Sequence, residues 1–208
     1  MGAEAARIDV QLDNVSKRFG REWVIKQLSV HYSSGSIYGI QGRNGSGKST
    51  LLRMLAGQLS PSRGQVSYTV DGQSIGVRDV YRLVSWTGPY LEIIEELTVA
   101  ESLAFHFGLK PLLAELTIEG VLDRIELRDY RMRSLQDCSS GMRQRVLLAT
   151  ALYADTPMLL LDEPTVTLDA AAAKWFAGEL KRYAPGRLTV VASNDPRDLA
   201  SCTTVLTL

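Results

Sequence analysis

The sequence predicts an α/β fold: a parallel-sheet core, an antiparallel β subdomain near its start, and an α-helical subdomain inserted in its middle. Three observations carry this. A glycine-rich turn, Gly42 to Ser49, sits between an apolar run and a helical pattern, as in a strand–loop–helix unit. The later strand candidates, Met158 to Leu161 and Leu188 to Ala192, are continuous apolar runs, which suits a parallel sheet buried on both faces. From about Leu97 to Arg133 the pattern is helical and rather acidic, without a good strand.

Each element has its own signal. Ile8 to Val15 and Leu28 to Tyr32 alternate apolar and polar residues, as half-buried strands do. Gly35-Ser36 reads as a turn and Ile37 to Gln41 as a short strand. Lys48 to Gly57 reads as a helix with Leu51, Leu52 and Leu55 on one face. Ser60 to Gly64 is a turn, and Gln65 to Val70 alternates again. The inserted lobe offers helices over Val99 to Phe107 and Thr117 to Ile125. The core resumes at Ser139 with a helix to about Tyr153. Ala170 to Tyr183 is a further helix, opened by a helix-forming alanine run, and Thr204 to Leu208 a last short strand. The predicted division is a core of residues 1–86 and 136–208, including the β subdomain, with a helical subdomain over about 87–135.

Bulk properties narrow the function classes. The chain has 208 residues, of which 45% are hydrophobic, enough for a real core. Lys plus Arg and Asp plus Glu are 23 each, so a broadly basic nucleic-acid surface is not suggested. Two cysteines, Cys138 and Cys202, make no disulfide framework. No stretch approaches the ~20 apolar residues of a membrane helix, and the first residues have no apolar signal core. A role at a membrane therefore requires another subunit to span it.

Gly42-Arg43-Asn44-Gly45-Ser46-Gly47-Lys48-Ser49 matches G-x-x-x-x-G-K-[ST] in full. Consecutive backbone N–H groups must curl around a polyphosphate, and glycines at 42, 45 and 47 permit that curl. The positive end of the following helix adds to anion binding. Lys48 suits the β- and γ-phosphates, and Ser49 suits Mg²⁺. Met158-Leu159-Leu160-Leu161-Asp162-Glu163 is an apolar strand ending in two acids. Burying it delivers both carboxylates to the sheet edge where ligands sit in open α/β folds. Asp162 suits the Mg²⁺ shell, and Glu163 is placed to polarise an attacking water as a general base. Together the two motifs are the P-loop NTPase (RecA-like) arrangement.

Further segments resemble the ABC ATPase family over nearly the whole chain. Val15-Ser16-Lys17-Arg18-Phe19-Gly20 looks like the family's aromatic loop, which implies that Phe19 stacks on adenine; a core Phe at a strand end is the plain alternative. Cys138-Ser139-Ser140-Gly141-Met142-Arg143-Gln144-Arg145 resembles the signature segment, usually written LSGGQ. That implies that Ser139, Ser140 and Gly141 face the γ-phosphate held by another subunit. Ser139 is also a good N-cap in its own right. Thr165-Val166-Thr167-Leu168-Asp169 resembles the D-loop, with Asp169 suited to cap the next helix. The resemblance thus implies an ATPase that uses ATP and Mg²⁺. The nucleotide-binding set is Phe19, Gly42 to Thr50 (Lys48, Ser49 and Thr50 included) and Ser139 to Gly141, with Ser49 and Asp162 on the metal.

The sequence departs from the family pattern at three places. Ser140 replaces the first signature glycine. Pro89 stands where the Q-loop Gln belongs, and proline offers neither an amide side chain nor a backbone N–H. Asn194, in Ser193-Asn194-Asp195, stands where the switch His belongs. Asn hydrogen-bonds a γ-phosphate or a carbonyl but carries no proton or positive charge. His31 and His106 lie elsewhere and read as structural or exposed. Normal ATP binding with slow intrinsic hydrolysis is therefore expected, with Glu163 and Asn194 as the catalytic pair.

In this family two cassettes close head to tail around two ATP molecules. The resemblance implies a homodimer, or a heterodimer with a second cassette, driving integral membrane transporter subunits from the cytoplasmic face, with no nucleic acid expected. The chain ends straight after its last core strand, which predicts no sizeable C-terminal regulatory domain. In size it is similar to the small cassettes of heme-export systems. A non-transport ABC ATPase and a nucleotide-dependent regulatory subunit that hydrolyses weakly are the other readings.

Overall fold

The computed structural model describes residues 6–88 and 93–208. Pro89, the Q-loop position, lies outside the described residues.

The first sheet is antiparallel, in the order β2-β1-β4-β5. It consists of β1 (Ile8–Phe19), β2 (Glu22–Ser33), β4 (Arg63–Val70) and β5 (Gln73–Ile75). Its two long strands outrun the expected ones. The β1–β2 register slips between Leu12 and Val15 and twice more before Phe19, and Asn14 and Gln27 take positive φ of 47° and 48°. Such bulges break the period-two pattern while the strand continues, so alternation ended the expected strands early. β5 was not expected: three residues between Gly72 and Gly76 carry no periodic signal.

The second sheet is parallel, in the order β6-β7-β8-β3-β9. β3 is Ile37–Gln41, β6 Val84–Thr87, β7 Met158–Asp162, β8 Leu188–Ser193 and β9 Thr204–Thr207. β6 is the other strand the sequence did not announce, at four residues. Every residue of β7 and β8 is buried, as continuous apolar runs require. Their side chains alternate between two cores. Met158, Leu160, Leu188 and Val190 join α1 (Lys48–Leu55) and the antiparallel sheet. Leu159, Leu161 and Val191 join α4 (Ser140–Leu152) and α5 (Ala170–Tyr183).

The inserted lobe holds α2 (Val99–Leu109) and α3 (Ile118–Arg124). Thr98 and Glu101 form a capping box at the start of α2, with the Glu101 N–H donating to the Thr98 hydroxyl at 3.2 Å. Val99, Leu103, Val121 and Leu122 belong to the same apolar cluster as Val146 and Leu148 of α4. The lobe's entry and exit are laced together, Leu135 N–H to Leu97 C=O and Gln136 N–H to Glu95 C=O, both at 2.9 Å. Cys138 and Cys202 are both free thiols. Among the described residues no helix is long and apolar enough to cross a membrane.

Candidate nucleotide site

Sheet register brings the two sequence motifs together. Asp162 at the end of β7 is level with Ala192 of β8, and Ala192 is level with Ile40 of β3. The chain leaving β3 and the chain leaving β7 therefore emerge on one edge, separated by β8. The glycine-rich loop leaves β3 and feeds α1; Glu163 leaves β7.

The loop needs its glycines for two different reasons. Gly45 and Gly47 take φ of 82° and 106°, a region L side chains resist. A Cβ on Gly47 would also lie 2.8 Å from Val24 Cγ1. Gly42 has no such φ; there a Cβ would lie 2.3 Å from Ser46 Oγ. Sequence pattern treats the three alike, and geometry separates them.

Lys48 is 5% exposed. Its ammonium donates to Gly42 C=O at 2.8 Å and lies 3.2 Å from Glu163 Oε1. Asp162 is 2% exposed, and its Oδ1 is buried without a hydrogen-bond partner. Burial pushes its carboxyl above the usual carboxylate range; the Ser49 hydroxyl, Lys48 and Arg53 pull the other way, and Glu163 adds to the rise. A dry carboxylate oxygen beside a serine hydroxyl, with raised proton affinity, is a fitting pair of ligands for a hard divalent cation. Glu163 itself sits at φ 46°. A non-glycine residue held there stores strain of a kind that gathers at functional sites.

Asn194 follows β8 and is exposed. Its amide donates to Asn44 Oδ1 at 3.2 Å, and its N–H approaches Glu163 Oε2 at 3.4 Å. Phe19, the last residue of β1, is 50% exposed, with the Lys17 ammonium 5.4 Å from its ring centre. The core reading of Phe19 is thereby overturned: the strand end carries the ring out of both apolar clusters.

A cavity of about 710 Å³ joins these groups. Phe19, Asn44, Gly45, Gly47, Lys48, Ser49, Thr50, Glu163 and Asn194, all expected site residues, line it. Gly42, Arg43, Ser46 and Asp162 are not on its wall. Val24, Arg53 and Val166 line it too and were missed. Arg53 had a signal, since it lies four residues beyond Ser49 on the same helix face. Val24 had none, and Val166 was singled out only as part of the segment that resembles the D-loop.

Ser139, Ser140 and Gly141 do not line this cavity. Ser139 is the N-cap of α4, its hydroxyl accepting from Met142 N–H at 3.2 Å. Ser140 begins the helix proper, so its Cβ meets no left-handed φ. Gln144 Nε2 donates to Pro164 C=O at 2.8 Å, which fastens α4 to the loop after Glu163. Asp169 caps α5, accepting from Ala172 N–H at 2.8 Å. The histidines are remote from the cavity: His31 pairs with Asp9 at 3.2 Å, and His106 packs edge-on to Phe107 with its pKa lowered chiefly by burial.

The family model described as ABC transporter matches residues 25–166. The cytochrome c biogenesis ATP-binding export protein CcmA of Rhizobium johnstonii is 33% identical over 189 residues, covering 89% of this chain and 87% of that protein. The sulfate/thiosulfate import ATP-binding protein CysA of Caulobacter vibrioides is also 33% identical, over 91% of this chain but 58% of its own length. Among solved structures, the dimeric structure of MJ0796, a bacterial ABC transporter cassette, superposes with a TM-score of 0.80 at 23% identity, over 96% of this chain and 94% of that one.

Proposed function

Because the chain belongs to the ABC transporter family of ATP-binding cassettes, we propose that it closes on ATP with a second cassette and drives a separate membrane transporter subunit. It is an ATPase, with ATP as its substrate. The observation that supports the reading best is the single cavity joining Phe19, Lys48, Ser49, Glu163 and Asn194. We take residues 1–86 with 136–208 as the nucleotide-binding core and about 87–135 as the helical subdomain.

In this reading Phe19 stacks on the base, and the loop N–H groups with Lys48 hold the phosphates. Ser49 and Asp162 hold Mg²⁺, which supplies charge neutralisation of the phosphate oxygens when bound. Glu163 takes the proton of the attacking water. Asn194, already in contact with Asn44 of the loop, meets the γ-phosphate as a neutral donor. Ser139, Ser140 and Gly141 complete the site of the other cassette, consistent with their not lining this chain's own cavity. The dimeric cassette among the similar structures supports that assembly. The partner cassette is another copy of this chain or a related one, and the complex sits against the inner face of a membrane through its spanning subunits. The match to an ATP-binding export protein over 89% of this chain and 87% of that protein favours a transporter subunit.

Slow intrinsic turnover is part of the proposal, because Asn194 offers no charge where the family places a histidine. The test is the phosphate-release rate of purified protein with MgATP, beside dimerisation by light scattering. Slow release, and ATP-dependent dimers that persist in Glu163→Gln, are the expected results. Turnover of tens per second, abolished by Glu163→Gln, would overturn the slow-hydrolysis reading. Absence of any ATP-dependent dimer, with or without the membrane partner, would overturn the closure reading.

A further inference from the structure

We propose that Asp198 is a positioning residue for Glu163, acting through the hydroxyl of Ser193. The inference rests on the reading of Glu163 as the water-activating group. Ser193 ends β8 on the same sheet edge as Glu163. Its Oγ accepts from the Asp195 N–H at 3.0 Å, and lies 2.7 Å from Asp198 Oδ2 and 3.1 Å from Glu163 Oε2. One oxygen with a single hydrogen thus faces two carboxyl oxygens. If both acids were bare, the hydrogen would serve the nearer one, and Glu163 would face a lone pair. All three contacts are satisfied only when one acid carries a proton.

The surroundings say which. Glu163 forms an ion pair with the Lys48 ammonium, 3.2 Å away. Asp198 is 6% exposed, and its other oxygen accepts from the Thr165 hydroxyl at 2.7 Å. Its charged neighbours include the acids Asp195 and Glu163. Lys174 and Arg197 line a cavity of about 250 Å³ beside it, and Arg197 is engaged with Asp195 at 2.5 Å. Burial is the main influence on Asp198 and raises its pKa, while the Ser193 and Thr165 hydroxyls oppose it. With the proton on Oδ2, Asp198 donates to Ser193 and Ser193 donates to Glu163 Oε2. Glu163 is then held through Oε2, leaving Oε1, whose neighbour is the Lys48 ammonium at 3.2 Å, as the oxygen that takes the proton of water. Through Thr165 the same carboxyl holds the start of the loop that runs to α5.

The test compares kcat and KM for ATP in Asp198→Asn, Asp198→Leu, Ser193→Ala and Glu163→Gln against the parent. Asn keeps both a donor for Ser193 and an acceptor for Thr165, and is expected to hold kcat within about threefold. Leu and Ala remove the chain of donors and are expected to lower kcat about tenfold or more with KM unchanged, the signature of a misaimed base. Equal losses in Asn and Leu, or normal turnover in Leu, overturn the proposal. A dead Glu163→Gln beside a normal Asp198→Leu sinks this inference alone; a fully active Glu163→Gln sinks it together with the reading of Glu163. Infrared difference spectroscopy decides the matter where turnover is too slow or the Leu variant does not fold. A protonated-carboxyl carbonyl band at neutral pH, lost in Asp198→Asn, is expected, and its absence in the parent overturns the proposal.

Discussion

Single residues at this site are held by constraints that residue type alone does not reveal. Gly47 and Gly72 both take positive φ, 106° and 79°, yet only Gly47 has a neighbour, Val24, where a Cβ would go. Gly47→Ala is therefore expected to weaken ATP binding at least tenfold by fluorescent-nucleotide titration. Gly72→Ala should cost about 1 kcal/mol of stability and leave ATP affinity unchanged. Equal effects of the two on affinity would show that the loop tolerates strain better than its geometry implies. Asn194 invites the complementary experiment. Asn194→His restores a side chain able to carry charge next to Asn44 and Glu163, and phosphate release should rise severalfold while remaining dependent on Glu163. An unchanged rate would place the slow step elsewhere.

At the scale of elements, helix ends do most of the positioning. The N-cap of α4 is Ser139 and that of α2 is Thr98. Each hydroxyl satisfies a backbone donor that would otherwise be orphaned. Replacing either by alanine should cost about 1 kcal/mol of unfolding free energy, read from denaturant midpoints. The two variants should part company in a second measurement. Ser139→Ala should also weaken ATP-dependent dimerisation, whereas Thr98→Ala, which caps a helix of the inserted lobe, should not. Equal dimerisation in both would reduce Ser139 to a cap. The C-terminus of α4 is served from a distance: Arg187 donates to Leu152 C=O at 2.9 Å, one of the carbonyls a helix leaves unpaired at its end.

Across the whole molecule, that same arginine joins three parts of the fold. Arg187 is 6% exposed and also donates to Ser85 Oγ of β6 at 2.7 Å and to Thr156 Oγ1 at 2.8 Å. Burial pushes its pKa down to about 10, so it is still charged at neutral pH. Hydrogen bonds from a buried charge contribute about 1.5–3 kcal/mol each when a partner is lost. Arg187→Ala is expected to lower the melting temperature by several degrees, with ATP affinity at the distant sheet edge intact. An unchanged melting temperature would mean that Ser85 and Thr156, already 2.9 Å apart, satisfy one another without it. The two apolar cores flank the parallel sheet, which keeps β3, β7 and β8 in the register on which the site depends.

Much of this was legible in the sequence. Local chemistry sufficed for the glycine-rich loop, the acids after β7, the caps Ser139 and Asp169, and the bounds of α5, because each is fixed by neighbours within a few residues. Short or bulged strands were not legible: β5 and β6 are too brief to show a period, and β1 and β2 change phase at Asn14 and Gln27. Nor was the exposure of Phe19, which depends on where a bulged strand ends. Only the tertiary structure placed Asp198, Ser193 and Glu163 on one hydrogen bond chain, 30 or more residues apart along the sequence between Glu163 and the other two. Sequence by itself determined which candidate groups this protein carries for a nucleotide site. Which of them meet was decided by the register of three parallel strands, because pairing across a sheet is a long-range choice that no local pattern encodes.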